Sequence, residues 1–265
     1  MLTCVILAKN EEKTIEKAIK SVKFADEILV VDDDSTDKTA VTAVKAGATI
    51  LTHTLSNNFA AQRNYALEKA AGEWVLFLDA DEEITPELKK NIVQIVKKEK
   101  SEFAAYYLKR RDKLWGRELK HGELASAYNK GIIRLVKKSS GTWVGTVHEE
   151  FRPTGQTGQL TGFINHTPHQ SFKDFLEDVN NYSTIRAQEL YDIHKKTNVL
   201  QIMFYPIIKF KYTYFLKMGF LDGPEGFSYS FMMSFHSFLV RSKLYMLWQK
   251  SSKASINTDS RSGRE

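Results

Sequence analysis

Cysteine, proline and long apolar runs are scarce in this sequence of 265 residues, which holds one cysteine and five prolines. The single cysteine, Cys4, excludes an internal disulfide framework, and its apolar surroundings predict a buried thiol in a reducing compartment. No apolar run is long enough to cross a bilayer, and the N-terminus lacks the basic start and small-residue cleavage site of a signal peptide. We therefore expect a cytoplasmic protein that is neither secreted nor integral to a membrane.

Glycine-rich phosphate-binding loops are also absent from the sequence. No GxGxxG motif follows the first apolar run, and GxxxxGKS/T occurs nowhere. These absences disfavour a dinucleotide-binding dehydrogenase and a P-loop nucleotidase. A diphosphate bound to this chain would have to be held by a metal ion and by basic side chains, of which Arg63 is the best placed.

The composition that remains is that of a globular protein, with 42% hydrophobic residues and a formal net charge of +6. This charge favours anionic partners such as nucleotides or an anionic membrane face. Nucleic acid is a poor fit as a partner, because no basic cluster is dense and acidic residues dominate the expected strand ends.

The first hundred residues alternate between short apolar runs and amphipathic segments. Such alternation with short connections predicts a doubly wound, mainly parallel α/β sheet. We expect Asn10 to cap the first helix and Gly72 to close the third. Ser35, Thr36 and Asp37 are the candidates for capping the second helix. Strands are expected at 2–8, 27–31, 49–52 and 74–78.

The pattern changes after Lys100. Two further strands are expected at 103–109 and 131–136, separated by a polar loop, and the stretch WVGTVHEEF follows at 143–151. From Ser171 onward the apolar spacing predicts helices again.

Acidic residues follow three of the expected strands in the first half, most clearly in GEWVLFLDADEE, where Asp79 and Asp81 end an apolar run. The carboxyl ends of parallel strands converge on one crevice, where open α/β sheets bind ligands. Two carboxylates held close together repel, which implies a cation such as Mg²⁺ or Mn²⁺ between them. An isolated acidic turn would explain one such motif, but not acids at several strand ends.

These segments resemble the successive signatures of a known enzyme family. VILAKNEE, ILVVDDDSTDKT and NNFAAQRNYALEKAAGEWVLFLDADEE are similar to those of family 2 glycosyltransferases with the GT-A fold, over residues 2–98. Within that family the chain resembles the subgroup of lipopolysaccharide-core β-1,4-glucosyltransferases, whose later markers stand here as GTVHEEF and GFLDGPEGF. The resemblance implies a Rossmann-like α/β fold, with a mainly parallel mixed sheet flanked by helices and a C-terminal helical extension.

The same resemblance implies a domain division. A catalytic domain covers 1–170, with a nucleotide-sugar half at 1–98 and an acceptor half at 99–170. A helical extension follows at 171–250, and we expect the remaining 251–265 to be a disordered tail.

Donor-binding roles follow from the resemblance for residues of the first half. Asp32 would accept a hydrogen bond from a uracil ring, and Arg63 would reach the base or the diphosphate. Asp81 would ligate the Mn²⁺ or Mg²⁺ ion that bridges the phosphates, with Asp79 at the ribose or the water shell of the metal. Asp34 departs from the family, which commonly has glycine there. The full donor-binding set is Ala8, Asn10, Glu11, Asp32, Arg63 and Asp79.

Catalytic roles are implied for the second half. The family inverts anomeric configuration by a single displacement, which needs one general base and no covalent intermediate. Glu149 is our hypothesis for this base, with Glu150 as the alternative, since adjacent strand residues point to opposite faces. His148 is either a contact of the diphosphate or metal, or a packing residue. Asp222 is a candidate acceptor contact, and His166 is a distant metal candidate that we otherwise assign to a loop.

The segment MFYPIIKFKYTYFLKMGF interleaves aromatic residues with Lys209, Lys211 and Lys217. A basic aromatic helix of this kind either lies on an anionic membrane surface or packs as a lid over the catalytic domain. Both interpretations stay open at this point.

The function implied for the chain is that of a metal-dependent, inverting hexosyltransferase. It would move a sugar, glucose being the first candidate, from a UDP-sugar to a glycan or glycolipid such as lipopolysaccharide core, with peripheral contact to the inner membrane. The alternative is a non-catalytic protein that binds sugars or lipid surfaces and retains the fold. A phosphatase with an aspartyl nucleophile is disfavoured, because Glu83 stands where such enzymes have threonine or valine.

Overall fold

A computed structural model describes residues 1–54, 58–98, 101–145, 149–169 and 171–262 of the chain. The chain divides into two compact units. Unit 1 comprises Met1–Lys120 and Leu124–Pro168, and unit 2 comprises His121–Glu123 and His169–Glu265.

The first half of unit 1 alternates strands and helices as expected. Its four strands pair in the order β3-β2-β1-β4, and every pair is parallel. The register sets Ala8 opposite Asp32 and Leu7 opposite Asp79, so the carboxyl ends of three neighbouring strands lie at one edge. The elements are β1 (Leu2–Ala8), α1 (Ile15–Ser21), β2 (Glu27–Asp32), α2 (Thr39–Lys45), β3 (Thr49–Thr52), α3 (Phe59–Lys69) and β4 (Trp74–Asp79).

The second half of unit 1 extends the same sheet with mixed pairing. Its further elements are β5 (Glu82–Ile84), α4 (Pro86–Val96), β6 (Ala105–Leu114), β7 (Arg117–Leu119), α5 (Ala125–Asn129), β8 (Ile132–Lys137), β9 (Gly141–Val144), β10 (Glu150–Pro153) and β11 (Thr157–His166). The sheet continues as β4-β8-β6-β11-β5, with β7 beside β6, whereas β9 and β10 form a separate antiparallel pair. This confirms the expected α/β class with a mixed sheet flanked by helices.

The core of unit 1 explains why β1 is apolar at every position except Thr3. All seven residues of β1 are buried, and alternate residues belong to two different apolar clusters, with Cys4 and Ile6 in one and Val5 and Leu7 in the other. Successive strand side chains point to opposite faces, so a strand covered on both faces is mainly apolar, and the hydroxyl of Thr3 is hydrogen-bonded to Glu27 and Gly72. Cys4 is a buried thiol as expected, and burial raises its pKa.

Three expectations about helix ends in unit 1 are wrong. α1 begins at Ile15 rather than directly after Asn10, because a turn from Glu11 to Thr14 precedes it. Asn10 instead accepts a hydrogen bond on Oδ1 from the backbone N–H of Thr36, at 2.8 Å. α2 follows Lys38, whose side chain makes no cap.

The third error concerns the end of α3. This helix ends at Lys69 with Ala70 as its C-cap, so Gly72 does not close it. A Cβ atom at Gly72 would lie 2.7 Å from the backbone nitrogen of Thr3, closer than real Cβ atoms approach. Gly72 therefore permits the close contact between the start of β4 and the start of β1.

Unit 2 is helical. Its elements are α6 (Phe172–Asp192), α7 (Val199–Phe210), a π-helical segment (Lys211–Leu216), a 3-10 segment (Gly219–Asp222) and α8 (Gly223–Ser262). A capping box between Ser171 and Asp174 starts α6, and both α6 and α7 pack on α8. α8 extends to Ser262, and the disordered tail that we expected at 251–265 stays a prediction.

In the part of the chain that the structure describes, no helix combines the length and apolar character that crossing a bilayer requires.

Candidate active site

The end of β4 delivers Asp79 to the sheet edge and turns at once into β5. The backbone N–H of Asp79 donates to Glu82 Oε2 at 3.0 Å, and the N–H of Ala80 donates to the carbonyl of Leu7 at 3.1 Å. These two bonds hold the turn, so Asp79, Asp81 and Glu82 project from one short segment.

Two arginines bind the carboxylate of Asp79. Arg63 Nη2 lies 2.8 Å from Oδ1, and Arg134 Nη2 lies 2.6 Å from Oδ2. Burial alone would raise the pKa of Asp79, but the charges of Arg134 and Arg63 outweigh it and hold the pKa well below its usual range. Asp79 is therefore ionised, and both of its oxygens are engaged.

Arg63 also contacts the candidate base. Its Nε atom donates to Glu149 Oε1 at 2.8 Å, and its guanidinium lies over the rings of Trp143 and Phe77, at 4.9 and 5.7 Å from their centroids. Arg63 is only 2% exposed, and its buried Nη1 atom has no hydrogen-bond partner among the described residues. An unsatisfied buried donor costs free energy, which a ligand acceptor would recover.

Glu82 is fully buried between two arginines. Its Oε1 atom lies 3.6 Å from Arg134 Nη2 and 3.5 Å from Arg110 Nη1. Burial raises the pKa of Glu82 above its usual range, since the two arginine charges only partly offset the desolvation. Arg110 in turn pairs with Asp112, with 3.1 Å between Nη2 and Oδ1.

His166 joins Asp112 to Asp81. Its Nδ1 atom lies 2.5 Å from Asp112 Oδ1 and its Nε2 atom 3.1 Å from Asp81 Oδ2. Burial by itself would lower the pKa of His166, but the charge of Asp81 outweighs it and raises the pKa to about 10. The imidazole is therefore protonated at neutral pH and donates from both ring nitrogens.

These contacts form one continuous series of alternating charges, which we call the charge network. Its five carboxyl groups face three guanidiniums and one imidazolium, so nearly every charge in it has a partner of opposite sign. In order, the members are Glu149, Arg63, Asp79, Arg134, Glu82, Arg110, Asp112, His166 and Asp81.

Asp32 lies at the neighbouring strand end with one free acceptor. Its Oδ2 atom accepts from the backbone N–H of Ser35 at 3.1 Å, whereas the buried Oδ1 atom has no partner among the described residues. Asp34 has a φ of 51°, in the left-handed region that favours glycine, and it accepts a hydrogen bond from Thr54 Oγ1. The turn after β2 therefore keeps a glycine-like geometry with an aspartate.

The remaining donor-binding candidates of the first half lie around the same edge. Ala8 is buried and pairs with Asp32. Glu11 accepts on Oε2 from the hydroxyl of Thr14, and its backbone N–H donates to Thr39 Oγ1. The side chain of Thr39 thereby connects the loop after β1 to the start of α2.

The two candidate bases differ in their surroundings. Glu149 is mostly buried and bonds Arg63, whereas Glu150 is exposed at the start of β10. The assignment of the base to Glu149 stays a prediction. His148 lies outside the described residues.

Asp222 belongs to unit 2. Its carboxylate accepts from the backbone N–H of His121 at 2.8 Å and contacts the ring Nδ1 of that histidine at 2.7 Å. Its role as an acceptor contact stays a prediction.

Among the described residues, no group of three or more His, Cys, Asp or Glu side chains is arranged to hold a metal ion. At the sheet edge, Asp81 and His166 form a pair of one oxygen and one nitrogen donor, and the carboxylate of Asp81 is the donor that suits Mn²⁺ or Mg²⁺. Asp79 is less suited to direct ligation in this state, because both of its oxygens bind arginine.

The sequence interpretation missed four members of the charge network, namely Glu82, Arg110, Asp112 and Arg134. Their signal was a charged residue at an apolar position of a strand. Arg110 and Asp112 share a face of β6 with buried Leu108 and Leu114, and Arg134 stands within the apolar run of β8. Charged residues at such positions are buried only when they are paired.

Comparisons with known proteins agree with this architecture. Residues 3–152 match the sequence profile described as "Glycosyl transferase family 2". An uncharacterized glycosyltransferase of Rickettsia bellii is 28% identical over 97% of this chain and 90% of its own length. The lipopolysaccharide core biosynthesis glycosyltransferase LpsC of Rhizobium meliloti is 27% identical over 97% of this chain and 96% of its own.

Two solved structures resemble the chain at low sequence identity. Residues 1–349 of TarS from S. aureus are 16% identical, with a TM-score of 0.46, over 94% of this chain and 91% of that one. Glucosyl-3-phosphoglycerate synthase of Mycobacterium tuberculosis, crystallised with Mn²⁺, UDP and phosphoglyceric acid, is 17% identical, with a TM-score of 0.47, over 72% and 78%.

Proposed function

The chain belongs to glycosyl transferase family 2, and from this premise we propose that it is an inverting, metal-dependent hexosyltransferase. It uses a UDP-sugar, with UDP-glucose as the first candidate, and transfers the sugar to a hydroxyl of a glycan or glycolipid. The similarity to LpsC along nearly the whole of both chains supports lipopolysaccharide core as the acceptor class. We place the protein in the cytoplasm, at the periphery of the inner membrane.

The observation that carries this proposal is the position of Arg63. One buried guanidinium contacts both Asp79, at the end of β4, and Glu149, and it keeps an unsatisfied donor for a ligand. A diphosphate leaving group and a general base are the two requirements of a single displacement, and here they meet at one side chain.

Uridine selection is assigned to Asp32. Its unpartnered Oδ1 atom is a buried acceptor, which fits the N3–H donor of uracil and not the N3 acceptor of cytosine. An unsatisfied buried acceptor costs about 1–3 kcal/mol, and a uracil ring would remove that cost. Ala8, which pairs with Asp32, and Asn10 and Glu11 in the loop that follows are the further donor-binding candidates.

A divalent cation fits the pair formed by Asp81 and His166. The two donor atoms are 3.1 Å apart, and the cation would take the place of the proton that His166 carries. When bound, it would supply positive charge to the departing diphosphate. Asp79, held by Arg63 and Arg134, would then contact the ribose or the water shell of the metal.

Proton transfer is assigned to Glu149. The acceptor oxygen forms a bond to the anomeric carbon, the bond from that carbon to the diphosphate oxygen breaks, and the hydroxyl proton passes to the Glu149 carboxylate. In the structure Glu149 is paired with Arg63. Proton transfer to Glu149 therefore requires Arg63 to leave Glu149 and bind the diphosphate.

The direct test is a panel of nucleotide sugars with Mn²⁺, assayed for slow hydrolysis and for nucleotide binding. We expect turnover of a UDP-sugar, tighter binding of UDP than of CDP, and loss of this preference in Asp32→Asn. Asp81→Asn should lower metal-stimulated turnover by roughly a hundredfold or more, whereas Glu83→Gln, an exposed neighbouring acid, should leave it unchanged. UDP binding without turnover under all conditions would favour the non-catalytic alternative.

A further inference from the structure

Unit 2 carries a large exposed apolar surface that the catalytic proposal does not use. Fifteen apolar side chains between Val199 and Phe231 are each at least 44% exposed. Monomeric proteins rarely expose contiguous apolar patches of more than roughly a few hundred Å², and larger ones mark interaction sites. We call these residues the apolar face: Val199, Leu200, Met203, Phe204, Tyr205, Ile207, Ile208, Tyr212, Phe215, Leu216, Met218, Phe220, Leu221, Phe227 and Phe231.

The exposed residues of α7 form a regular stripe. Two rows of α7 residues, each at a spacing of four, are exposed at every position. One row is 199, 203 and 207, and the other is 200, 204 and 208. Residues four apart lie on one side of a helix, so the two adjacent rows cover a single face. α7 packs on α8, yet none of its own residues is buried.

The segment after α7 is held rigidly by close backbone packing. A Cβ atom at Gly219 would lie 2.9 Å from the carbonyl oxygen of Thr213, and one at Gly226 would lie 2.1 Å from the carbonyl oxygen of Gly219. Met218 has a φ of 57°, which turns the chain sharply between the π-helical and 3-10 segments. Phe215 and Leu216, at the end of the π-helical segment just before this turn, are exposed.

Charge along this region has one sign. Residues 193–221 contain five lysines and no aspartate or glutamate, whereas α6 contains five acidic residues. Lys211 is exposed, Lys217 lies over the ring of Tyr212 at 5.1 Å, and Lys209 pairs with Glu123. The acidic residue that follows, Asp222, is buried against His121. The apolar face is therefore bordered by positive charge.

We propose that the apolar face of unit 2 docks on the surface of an anionic phospholipid bilayer. The aromatic and aliphatic side chains enter the boundary between headgroups and acyl chains, while Lys211 and Lys217 reach the phosphates. Charge complementarity selects this partner over a second copy of the chain. A two-fold dimer would place the same face, with its lysines, against itself. The only acids within the span of the face are Asp222, which is buried against His121, and Glu225.

This inference extends the proposed function, since a glycolipid acceptor lies in a bilayer, but it does not depend on the transfer reaction. Vesicle binding is measured without a nucleotide sugar, so the two proposals fail separately. A chain that binds vesicles and turns over no UDP-sugar would contradict only the proposed function.

The test is flotation of the full chain with vesicles of phosphatidylcholine and phosphatidylglycerol, compared with phosphatidylcholine alone. We expect binding to the mixed vesicles that weakens as salt is raised. The variant Lys211→Glu with Lys217→Glu should lower partitioning roughly 25-fold or more, since each lysine near an anionic surface contributes about fivefold. Exposed lysines of unit 1 serve as the matched control, in the variant Lys45→Glu with Lys90→Glu, which should bind as the wild type does.

The apolar contribution has its own variant and control. Phe204→Ser with Phe215→Ser and Leu216→Ser should abolish flotation, whereas Val41→Ser with Val44→Ser, at exposed positions of α2, should not. Thermal unfolding of each variant shows that it is folded; because these side chains are exposed, the midpoints should match the wild type.

Three outcomes would overturn the proposal. One is a wild-type chain that does not float with the mixed vesicles, and another is equal binding to phosphatidylcholine alone, which would remove the role of the lysines. The third is concentration-dependent self-association in sedimentation that the triple serine variant abolishes, without vesicle binding, which would assign the face to a second copy.

Discussion

Asp79 and Glu149 share the guanidinium of Arg63, which donates to each of them at 2.8 Å from a different nitrogen. The two carboxylates lie far apart in the sequence and come from opposite halves of unit 1. A single buried cation therefore couples the candidate leaving-group site to the candidate base, and a change at Arg63 should affect both.

Replacement of Arg63 by methionine should leave the mostly buried Glu149 without its charged partner and Asp79 with Arg134 alone. Loss of one partner of a buried ion pair costs about 3–5 kcal/mol, because the remaining charge is not compensated. We expect a corresponding fall in the free energy of unfolding, measured by urea denaturation, together with loss of UDP binding by calorimetry. Arg152→Met, at an exposed position of β10, is the control. Unchanged stability in Arg63→Met would show that the network does not exist in solution.

Arg134 is a positioning residue for Asp79, since it binds the second oxygen of that carboxylate and also lies beside Glu82. Arg134→Met should raise the pKa of Asp79 and destabilise the fold by about 3 kcal/mol or more. Arg134→Lys keeps the positive charge but not the bidentate contact with Asp79. Compared with Arg134→Met, it should therefore retain more of the stability but little more of the UDP affinity. Equal stability and equal UDP affinity in Arg134→Lys and Arg134→Met would exclude a role for the charge.

Glu149 and Glu150 provide a matched pair for testing the base. Glu149→Gln should lower transfer by about 10²–10⁴-fold, because the acceptor hydroxyl loses its proton acceptor. UDP binding in Glu149→Gln should remain, as Arg63 is then free to bind the diphosphate. Glu150→Gln should retain transfer, since its side chain is exposed at the start of β10. The reverse result would assign the base to Glu150.

The raised pKa of His166 predicts that the free energy of unfolding depends on pH, measured with a chelator present so that no metal occupies the histidine. Its pKa is raised to about 10 in the folded chain, against an ordinary value of 6.5. A raised pKa contributes stability that is complete below pH 6.5 and is lost as the pH rises toward 10. The difference in free energy of unfolding between the wild type and His166→Gln should therefore shrink steadily over this range. A difference that stays constant would mean that His166 is neutral in the fold.

The parallel half of unit 1 and the acidic residues at its sheet edge were predictable because their determinants are local. An apolar run such as β1 predicts a strand covered on both faces, and the acids at 32, 79 and 81 follow strands whose ends must converge in a parallel sheet. Arg63 could be identified for the same reason, since α3 leads directly into β4. The helix ends were less predictable, because Asn10 bonds a residue of the neighbouring loop.

The other half of the charge network depended on tertiary pairing. Arg110, Asp112, Arg134 and His166 come from β6, β8 and β11, and only the register of these strands beside β4 and β5 brings them to Asp79, Asp81 and Glu82. No local pattern specifies which strands of a mixed sheet become neighbours.

The exposure of the apolar segment after Asn198 could not be predicted from the sequence either. Its amino acids determine that it is helical, basic and aromatic, and this holds equally for a buried helix and for a membrane-facing one. Only the packing of α7 on α8 decides which side chains remain exposed, because burial depends on the neighbours that the fold supplies.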